Sequence, residues 1–240
     1  MTTRKNRLLD ILEEQRSSGT IDLSDMYIGD EGSVILSNFL RGCASIRALN
    51  LRGNKISPSG FVSIFSSLGE NSVIAELSLE WNDIGRDSSG LQQLLEFCGR
   101  SQSIRKIDLR NNSINAVDGD ILGQLIRENH SLVFMDLRWN ALGNKGARVI
   151  LDAVRNSKNI LKVDLNGNTV SDELIRELQD CLESNIKADP NALKNYENIF
   201  AGQTRQNLVP NGTHEFSSSD NRGMTSEGFL NGHQHVSFLA

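Results

Sequence analysis

The sequence predicts an α/β solenoid, in which short parallel strands form one concave sheet and helices cover its outer side. Three observations support this fold class. A short apolar phrase recurs at a nearly fixed interval, an asparagine stands at the same step of most copies, and the segments between copies have helical periodicity. Because each repeat of such an array contacts only its neighbours, the repeats are expected to fold as one elongated unit.

The recurring phrase is clearest at 104–114, IRKIDLRNNSI, where isoleucine and leucine alternate with polar residues. The central strand residue of each copy recurs every 28 residues, with one interval of 30, at Ile21, Leu49, Leu77, Ile107, Met135 and Val163. The first copy is degenerate, with Met26 where later copies carry asparagine, as is typical of a terminal repeat. This pattern is the leucine-rich repeat signature, and it predicts about six repeats over 19–187.

An asparagine follows each of the later strands, at Asn54, Asn82, Asn112, Asn140 and Asn168. An ordinary βαβ sheet with helices on both faces gives no reason to place asparagine at the same step of every unit. In a solenoid these side chains stack inward, and their amides bond to backbone groups of the adjacent turns. We therefore predict a structural asparagine ladder.

The linking segments carry apolar residues three and four apart, which gives each predicted helix one apolar face. Such stripes lie at 60–68, 91–95, 121–126 and 147–154. A unit of 28 residues has room for a strand, a turn and a full helix. Long units with outer helices resemble the ribonuclease-inhibitor type of leucine-rich repeat.

The two ends of the array differ from its interior. A helix is predicted over 4–16, and residues 1–18 are interpreted as an N-terminal cap, because a bare solenoid end would expose its core and a strand edge. The last repeat ends in a helix predicted over 172–186, with Ser171 as its N-cap. A shorter C-terminal capping helix is predicted over 188–200, and residues 201–240, rich in Gly, Ser and Asn, are predicted to be disordered.

The composition excludes several classes of function. A net charge of −5 argues against a generic binder of nucleic-acid backbones, and no apolar run is long enough for a signal peptide or a membrane span. The cysteines Cys43, Cys98 and Cys181 are odd in number and far apart, and we interpret them as small buried residues of a reduced compartment. These features predict a cytoplasmic or cytoskeletal protein.

The sequence contains no recognisable catalytic or metal-binding arrangement. No glycine loop precedes a lysine at phosphate-binding spacing, and no histidine stands near a plausible serine or cysteine nucleophile. The histidines His214, His233 and His235 lie in the tail without cysteine or carboxylate at metal-ligand spacing. We expect no enzymatic activity, no cofactor and no metal, and a partner that is another protein.

The concave face is the predicted binding surface, because residues between and just after the inward apolar positions face the hollow. The candidate contact residues are Glu80, Trp81, Asp108, Arg110, Phe134, Asp136, Arg138 and Trp139. The aspartates and arginines have a simple structural explanation, a solvated ladder of cross-strand ion pairs. Tryptophan beside arginine is the composition of an interaction hot spot. The alternative for the tryptophans is packing against neighbouring turns.

Four phrases, LSLEWNDIG, IDLRNNSI, MDLRWNALG and VDLNGNTV, carry a closer resemblance. In these phrases a tryptophan precedes Asn82 and Asn140, and Asn111 stands at the same step of the repeat between the two. On these residues, the stretch 20–200 is similar to the repeat domain of the leucine-rich-repeat proteins of the centrosome linker. The resemblance implies a non-enzymatic scaffold that acts in centrosome cohesion and basal-body organisation by binding other linker proteins. That family continues into a long coiled coil, whereas this chain has no heptads after Phe200.

Repeats of similar length also occur in the GTPase-activating protein of the Ran cycle. The alternative function is therefore GTPase activation, or another regulatory role, of that type. That family has more repeats and a strongly acidic tail, whereas residues 201–240 carry three acidic residues and two arginines. A nuclease inhibitor is disfavoured, because that role would favour a strongly acidic hollow and a higher cysteine content.

Overall fold

Six three-residue strands pair in parallel, in chain order, to form one sheet in the computed structural model, which describes residues 2–69, 72–191 and 194. The strands are β1 (Thr20–Asp22), β2 (Ala48–Asn50), β3 (Glu76–Ser78), β4 (Lys106–Asp108), β5 (Phe134–Asp136) and β6 (Lys162–Asp164). The helices are α1 (Thr2–Gln15), α2 (Gly29–Leu40), α3 (Pro58–Ser67), α4 (Ser89–Arg100), α5 (Gly119–Glu128), α6 (Gly143–Arg155) and α7 (Asp172–Ala188), and a 3-10 turn at Ala116–Asp118 precedes α5. This is the predicted α/β leucine-rich repeat array.

The strand register is the one that the repeat period predicts. The six central strand residues form one row across the sheet, and the 30-residue interval between β3 and β4 leaves that row intact. All six side chains are buried against the helices, where Phe61, Phe65 and Phe97 stack with ring centroids 5.8 and 5.9 Å apart. The core therefore lies between the sheet and the helices. The side of the sheet that faces away from the helices is here called the open face.

The asparagine amides bond across successive turns of the array, as Asn112 illustrates. Its Nδ2 donates to the carbonyls of Leu79 and Arg110 at 2.9 and 3.0 Å, and its Oδ1 accepts from the N–H of Ile84 at 3.3 Å. Equivalent bonds to two adjacent turns occur at Asn54, Asn82, Asn140 and Asn168. These bonds satisfy buried backbone groups of the turns where each strand ends.

The N-terminal end of the sheet is closed by α1 and the turn that follows it. The side chain of Gln15 donates to the Asp22 carbonyl at 3.2 Å and accepts from the Asp22 N–H at 2.6 Å. Ser18 binds the carbonyl and the N–H of Thr20 in the same way, at 2.5 and 3.1 Å. The side chains of Gln15 and Ser18 thus bind backbone groups on the side of β1 where no strand of the described residues pairs with it, which protects the sheet edge.

The C-terminal helix α7 ends two residues beyond the predicted boundary. Ser171 occupies the N-cap position in an extended conformation, but its side chain makes no capping hydrogen bond within the described chain. Its N–H donates instead to Asn144 Oδ1 at 2.8 Å. Beyond α7, residues 190, 191 and 194 are helical. The rest of the predicted capping helix over 188–200, and the predicted disordered tail over 201–240, lie outside the described residues.

The three cysteines are free thiols that differ in burial. Cys98 is buried, and burial raises the pKa of its thiol. Cys43 and Cys181 are partly exposed, so the expectation that all three are buried is wrong for these two. Among the described residues, no group of three or more His, Cys, Asp or Glu side chains could hold a metal ion, and no helix is long and apolar enough to cross a membrane.

Replacing Asn112 with leucine tests the ladder. We expect the variant to lower the free energy of unfolding by about 3 kcal/mol, because it leaves buried carbonyl and N–H groups without partners. Urea denaturation followed by circular dichroism measures the loss. Asn38→Leu, on the exposed surface of α2, is the control and should change stability by less than about 0.5 kcal/mol. Equal stabilities for the two variants would contradict a structural role for Asn112.

Candidate functional site

Residues of the open face stand in columns, because the register aligns equivalent positions of successive units. The first and third residues of each strand point away from the core, since strand side chains alternate. The third strand position holds Asp22, Asn50, Ser78, Asp108, Asp136 and Asp164. Two residues later stand Ser24, Arg52, Glu80, Arg110, Arg138 and Asn166.

The column of aspartates has a local structural role. Each carboxylate accepts a hydrogen bond from the backbone N–H two residues later, at 2.9–3.2 Å, at Asp22, Asp108, Asp136 and Asp164, and Asn50 does the same through its side-chain oxygen. An aspartate or asparagine bonded in this way forms an Asx turn, which ends the strand. Acidic residues at this step are therefore explained by the fold alone.

Arg110 and Arg138, at the centre of the sheet, donate hydrogen bonds to carboxylates of this column. Arg110 donates through Nε and Nη2 to Asp108 at 2.9 and 2.6 Å, and its Nε lies 3.5 Å from Asp136 in the next strand. Arg138 binds Asp136 at 3.0 and 2.6 Å, and its Nε lies 3.5 Å from Asp164. We name the connected residues Glu80, Asp108, Arg110, Asp136, Arg138 and Asp164 the charged ladder.

The charged ladder differs from a solvated ladder of cross-strand pairs. Asp108 and Asp136 are only 6% and 2% exposed, and the main partner of each is the arginine two residues later in its own unit. Two-point arginine–carboxylate bonds of this kind are among the stronger ones in proteins. Hydrogen bonds to these carboxylates raise the pKa of both arginines. The guanidinium groups are thus held in fixed positions while remaining partly exposed.

Glu80 is the member of the charged ladder with the poorest set of partners. Its unit has Ser78 in the aspartate column, and the buried Glu80 Oε1 lies 3.4 Å from Arg110 Nη2. Its Oε2 is buried without a hydrogen-bond partner among the described residues. Burial, and then the negative charge of Asp108, raise the pKa of Glu80 to about 7. This carboxyl group therefore exchanges a proton near neutral pH.

Trp81 and Trp139 occupy a column in which the backbone is left-handed. The column comprises Asp25, Gly53, Trp81, Asn111, Trp139 and Gly167, all with φ between +51° and +77°. Glycine adopts this conformation freely and aspartate or asparagine tolerates it, whereas a bulky side chain there costs about 1–2 kcal/mol. Four of the six positions carry the residue types that the backbone favours, and the two tryptophans do not.

Both indoles are largely exposed, with 58% of Trp81 and 61% of Trp139 accessible to solvent. The Trp139 ring lies against Gly167, where an added Cβ would come within 2.7 Å of ring atom Cε3. The alternative of packing against a neighbouring turn is thus partly right for Trp139, but most of its surface stays open. We name Trp81, Asn111 and Trp139, at the carboxyl edge of the sheet, the tryptophan rim.

Phe134 lies apart from the tryptophan rim, although the sequence grouped it with the tryptophans. It is the first residue of β5, at the opposite end of the strand from Trp139, and the Lys162 Nζ lies 5.3 Å from its ring centroid. In the same column Lys106 Nζ lies 3.6 Å from Glu76 Oε2. Sequence reasoning missed Glu76, Lys106 and Lys162. These three residues are, like Phe134, the first residues of their strands, so the alternation of strand side chains that places Phe134 on the open face also places them there.

Two segments of the chain, 42–65 and 128–151, match the family model described as Leucine Rich repeat. These matches fall in the second and fifth units of the array. A stretch of 95 residues, 40% of this chain, is 30% identical to Leucine-rich repeat-containing protein 45 of Gallus gallus. This chain spans 14% of the length of that relative.

Two solved structures are similar in backbone. Leiomodin-1 actin-binding site 2 matches with a TM-score of 0.48 at 14% identity, over 82% of this chain and 95% of that chain. The tropomodulin C-terminal domain of Caenorhabditis elegans matches with a TM-score of 0.46 at 18% identity, over 78% of this chain and 93% of that chain.

Glu80→Gln is expected to remove a pH dependence of stability. The pKa of Glu80 in the folded chain, about 7, lies above its ordinary value of 4.5, so the folded state binds more protons between these values. Its contribution to the free energy of unfolding is therefore present at low pH and falls as the pH rises through 7. At pH 8 the variant should be more stable than wild type, by on the order of 1–3 kcal/mol.

Urea denaturation at pH 5 and pH 8 measures this difference. Glu128→Gln, on the exposed surface of α5, serves as the control and should leave the pH dependence of wild type unchanged. If Glu80→Gln and wild type lose the same stability between pH 5 and pH 8, the Glu80 carboxyl group is not destabilised by its burial.

Proposed function

We propose that this chain is a non-enzymatic protein-binding scaffold, and that its tryptophan rim, with the adjoining charged ladder, contacts the partner. One observation carries the proposal. Two large apolar side chains are exposed at backbone positions that favour glycine or asparagine. They contribute little to the core, and the fold would be better served by smaller residues, so their cost in stability calls for a function.

The surroundings of the rim favour binding. Tryptophan and arginine dominate interaction hot spots, because each offers a large contact area together with directional donors. Arg110 and Arg138 precede Asn111 and Trp139, and carboxylates already hold them in place. A partner would therefore lose little additional side-chain entropy when it contacts these arginines.

The GTPase-activating alternative has less support. An arginine that stabilises charge on a transferring phosphoryl group must be able to reach the nucleotide. At the centre of the open face, Arg110 is engaged by three carboxylates and Arg138 by two. We expect the purified chain to leave GTP hydrolysis by small GTPases unchanged, and a hydrolysis assay with the Ran-type GTPase decides the matter.

We further propose that the scaffold acts at the centrosome or basal body, within the cytoplasm. The resemblance to the centrosome-linker repeat domain motivates this location, and the 30% identity with Leucine-rich repeat-containing protein 45 supports it. Fluorescence microscopy of the tagged full chain beside a centrosome marker tests the location. A uniform distribution in the cytoplasm would refute it without affecting the binding role of the rim.

Replacing both tryptophans with residues that the same column already uses separates binding from folding. In the double variant Trp81→Asn, Trp139→Gly the melting temperature should stay within a few degrees of wild type or rise, because the left-handed backbone is relieved. Recovery of specifically bound proteins from cell extract, quantified by mass spectrometry, should fall at least tenfold, which corresponds to about 1.4 kcal/mol.

The control variant Val34→Asn, Val73→Asn removes exposed apolar side chains that lie away from the rim. It should recover the same proteins as wild type. A tryptophan variant that melts far below wild type would show that the indoles are structural. One that folds normally and keeps every bound protein would place the binding surface elsewhere.

A further inference from the structure

We infer that the partner presents a proline-rich segment in the polyproline II conformation, with two prolines three residues apart, one on each indole of the tryptophan rim. This inference rests on the proposed function and names the chemistry of the partner. Its starting point is that the two indoles occupy equivalent positions two strands apart.

The backbone fixes the spacing of the rim. Strands β3, β4 and β5 are adjacent and in register, and the ladder continues beyond them, since Trp81 N–H donates to the Arg110 carbonyl at 3.0 Å and Asn111 N–H to the Arg138 carbonyl at 3.1 Å. Both tryptophans have φ of +59°. Because neighbouring strands lie about 4.8 Å apart, the two tryptophan Cα atoms are separated by about 9.6 Å.

Only some peptide conformations place side chains on one face at this interval. Polyproline II has three residues per turn and rises about 3.1 Å per residue, so residues i and i+3 project in the same direction about 9.3 Å apart. In a β-strand the same-face distances are about 6.7 and 13 Å. In an α-helix they are about 6 Å for i, i+4 and about 10.5 Å for i, i+7. Polyproline II matches the rim most closely.

The side chains of the rim, and not only their spacing, suit a proline-rich ligand. A pyrrolidine ring presents a compact apolar face that can lie on an indole, and the indole N–H can donate to a peptide carbonyl. A polyproline II segment has no internal hydrogen bonds, so its carbonyls are open to such donors. The Asn111 amide, between the indoles, supplies one more donor and acceptor. The segment is largely ordered before binding, which lowers the entropy lost on association.

Intrinsic fluorescence provides a direct assay, because both tryptophans of the chain belong to the rim. The probe is a decaproline peptide, titrated into the full-length protein while tryptophan emission is recorded. We expect a saturable change in emission with decaproline and none with a glycine–serine peptide of equal length. An alanine-based helical peptide with leucines seven residues apart is the competing probe, and it should bind at least tenfold more weakly than decaproline.

A variant with altered spacing is the matched control. In Asn111→Trp, Trp139→Asn the number of indoles is unchanged, but the Cα atoms that carry them follow adjacent strands and lie about 4.8 Å apart. Decaproline should bind this variant at least tenfold more weakly than wild type. If the variant fails to fold, Trp81→Asn, which leaves one indole, replaces it with the same expectation.

Equal affinity of decaproline for wild type and the altered-spacing variant would overturn the inference, and so would tighter binding of the helical peptide. Failure of decaproline to bind at all would do so too. If the Trp81→Asn, Trp139→Gly variant nevertheless loses the proteins that wild type captures, the rim remains the binding surface and only the identity of the segment is wrong.

Discussion

The fold depends on one repeated interaction, the bonding of a buried asparagine amide to backbone groups of two adjacent turns. The strands are only three residues long, and so few ladder hydrogen bonds would hold their register weakly. Each amide adds bonds just where the strand ends, as Asn112 does to Leu79, Arg110 and Ile84. With the register fixed, the residues just after each strand stand at equivalent positions in successive units.

This fixed register separates residues that serve the fold from residues that the fold does not require. The aspartates that follow the central strand residue end their strands through Asx turns, and the arginines neutralise those that are buried. In the column directly after the arginines, the backbone is left-handed, which suits glycine, asparagine and aspartate but not Trp81 and Trp139. The two tryptophans are therefore the side chains of the open face that local structure explains least. Glu80 is a second case, since its buried oxygen lacks a partner among the described residues.

The sequence alone predicts the fold well, because the repeat period predicts the order and register of all six strands, and the alternation of apolar and polar residues predicts their inward face. The candidate site was only partly predictable. The burial of Asp108 and Asp136 could not be anticipated, since it depends on arginines folding back onto their own unit. The positive φ of Trp81 and Trp139 could have been found, because Gly53, Asn111 and Gly167 stand at the same step. The place of Phe134 at the other end of β5 from Trp139 follows from its position as the first strand residue, which hydrophobic character alone does not indicate.

We propose that a register set by asparagines holds two indoles at a spacing that one ligand contacts simultaneously. Fluorine NMR of protein labelled with 5-fluorotryptophan tests it directly, since the chain contains two tryptophans and gives two resonances. On titration with decaproline, both resonances should shift with the same midpoint. A shift of one resonance alone, two different midpoints, or no shift at saturating peptide would contradict the two-point contact.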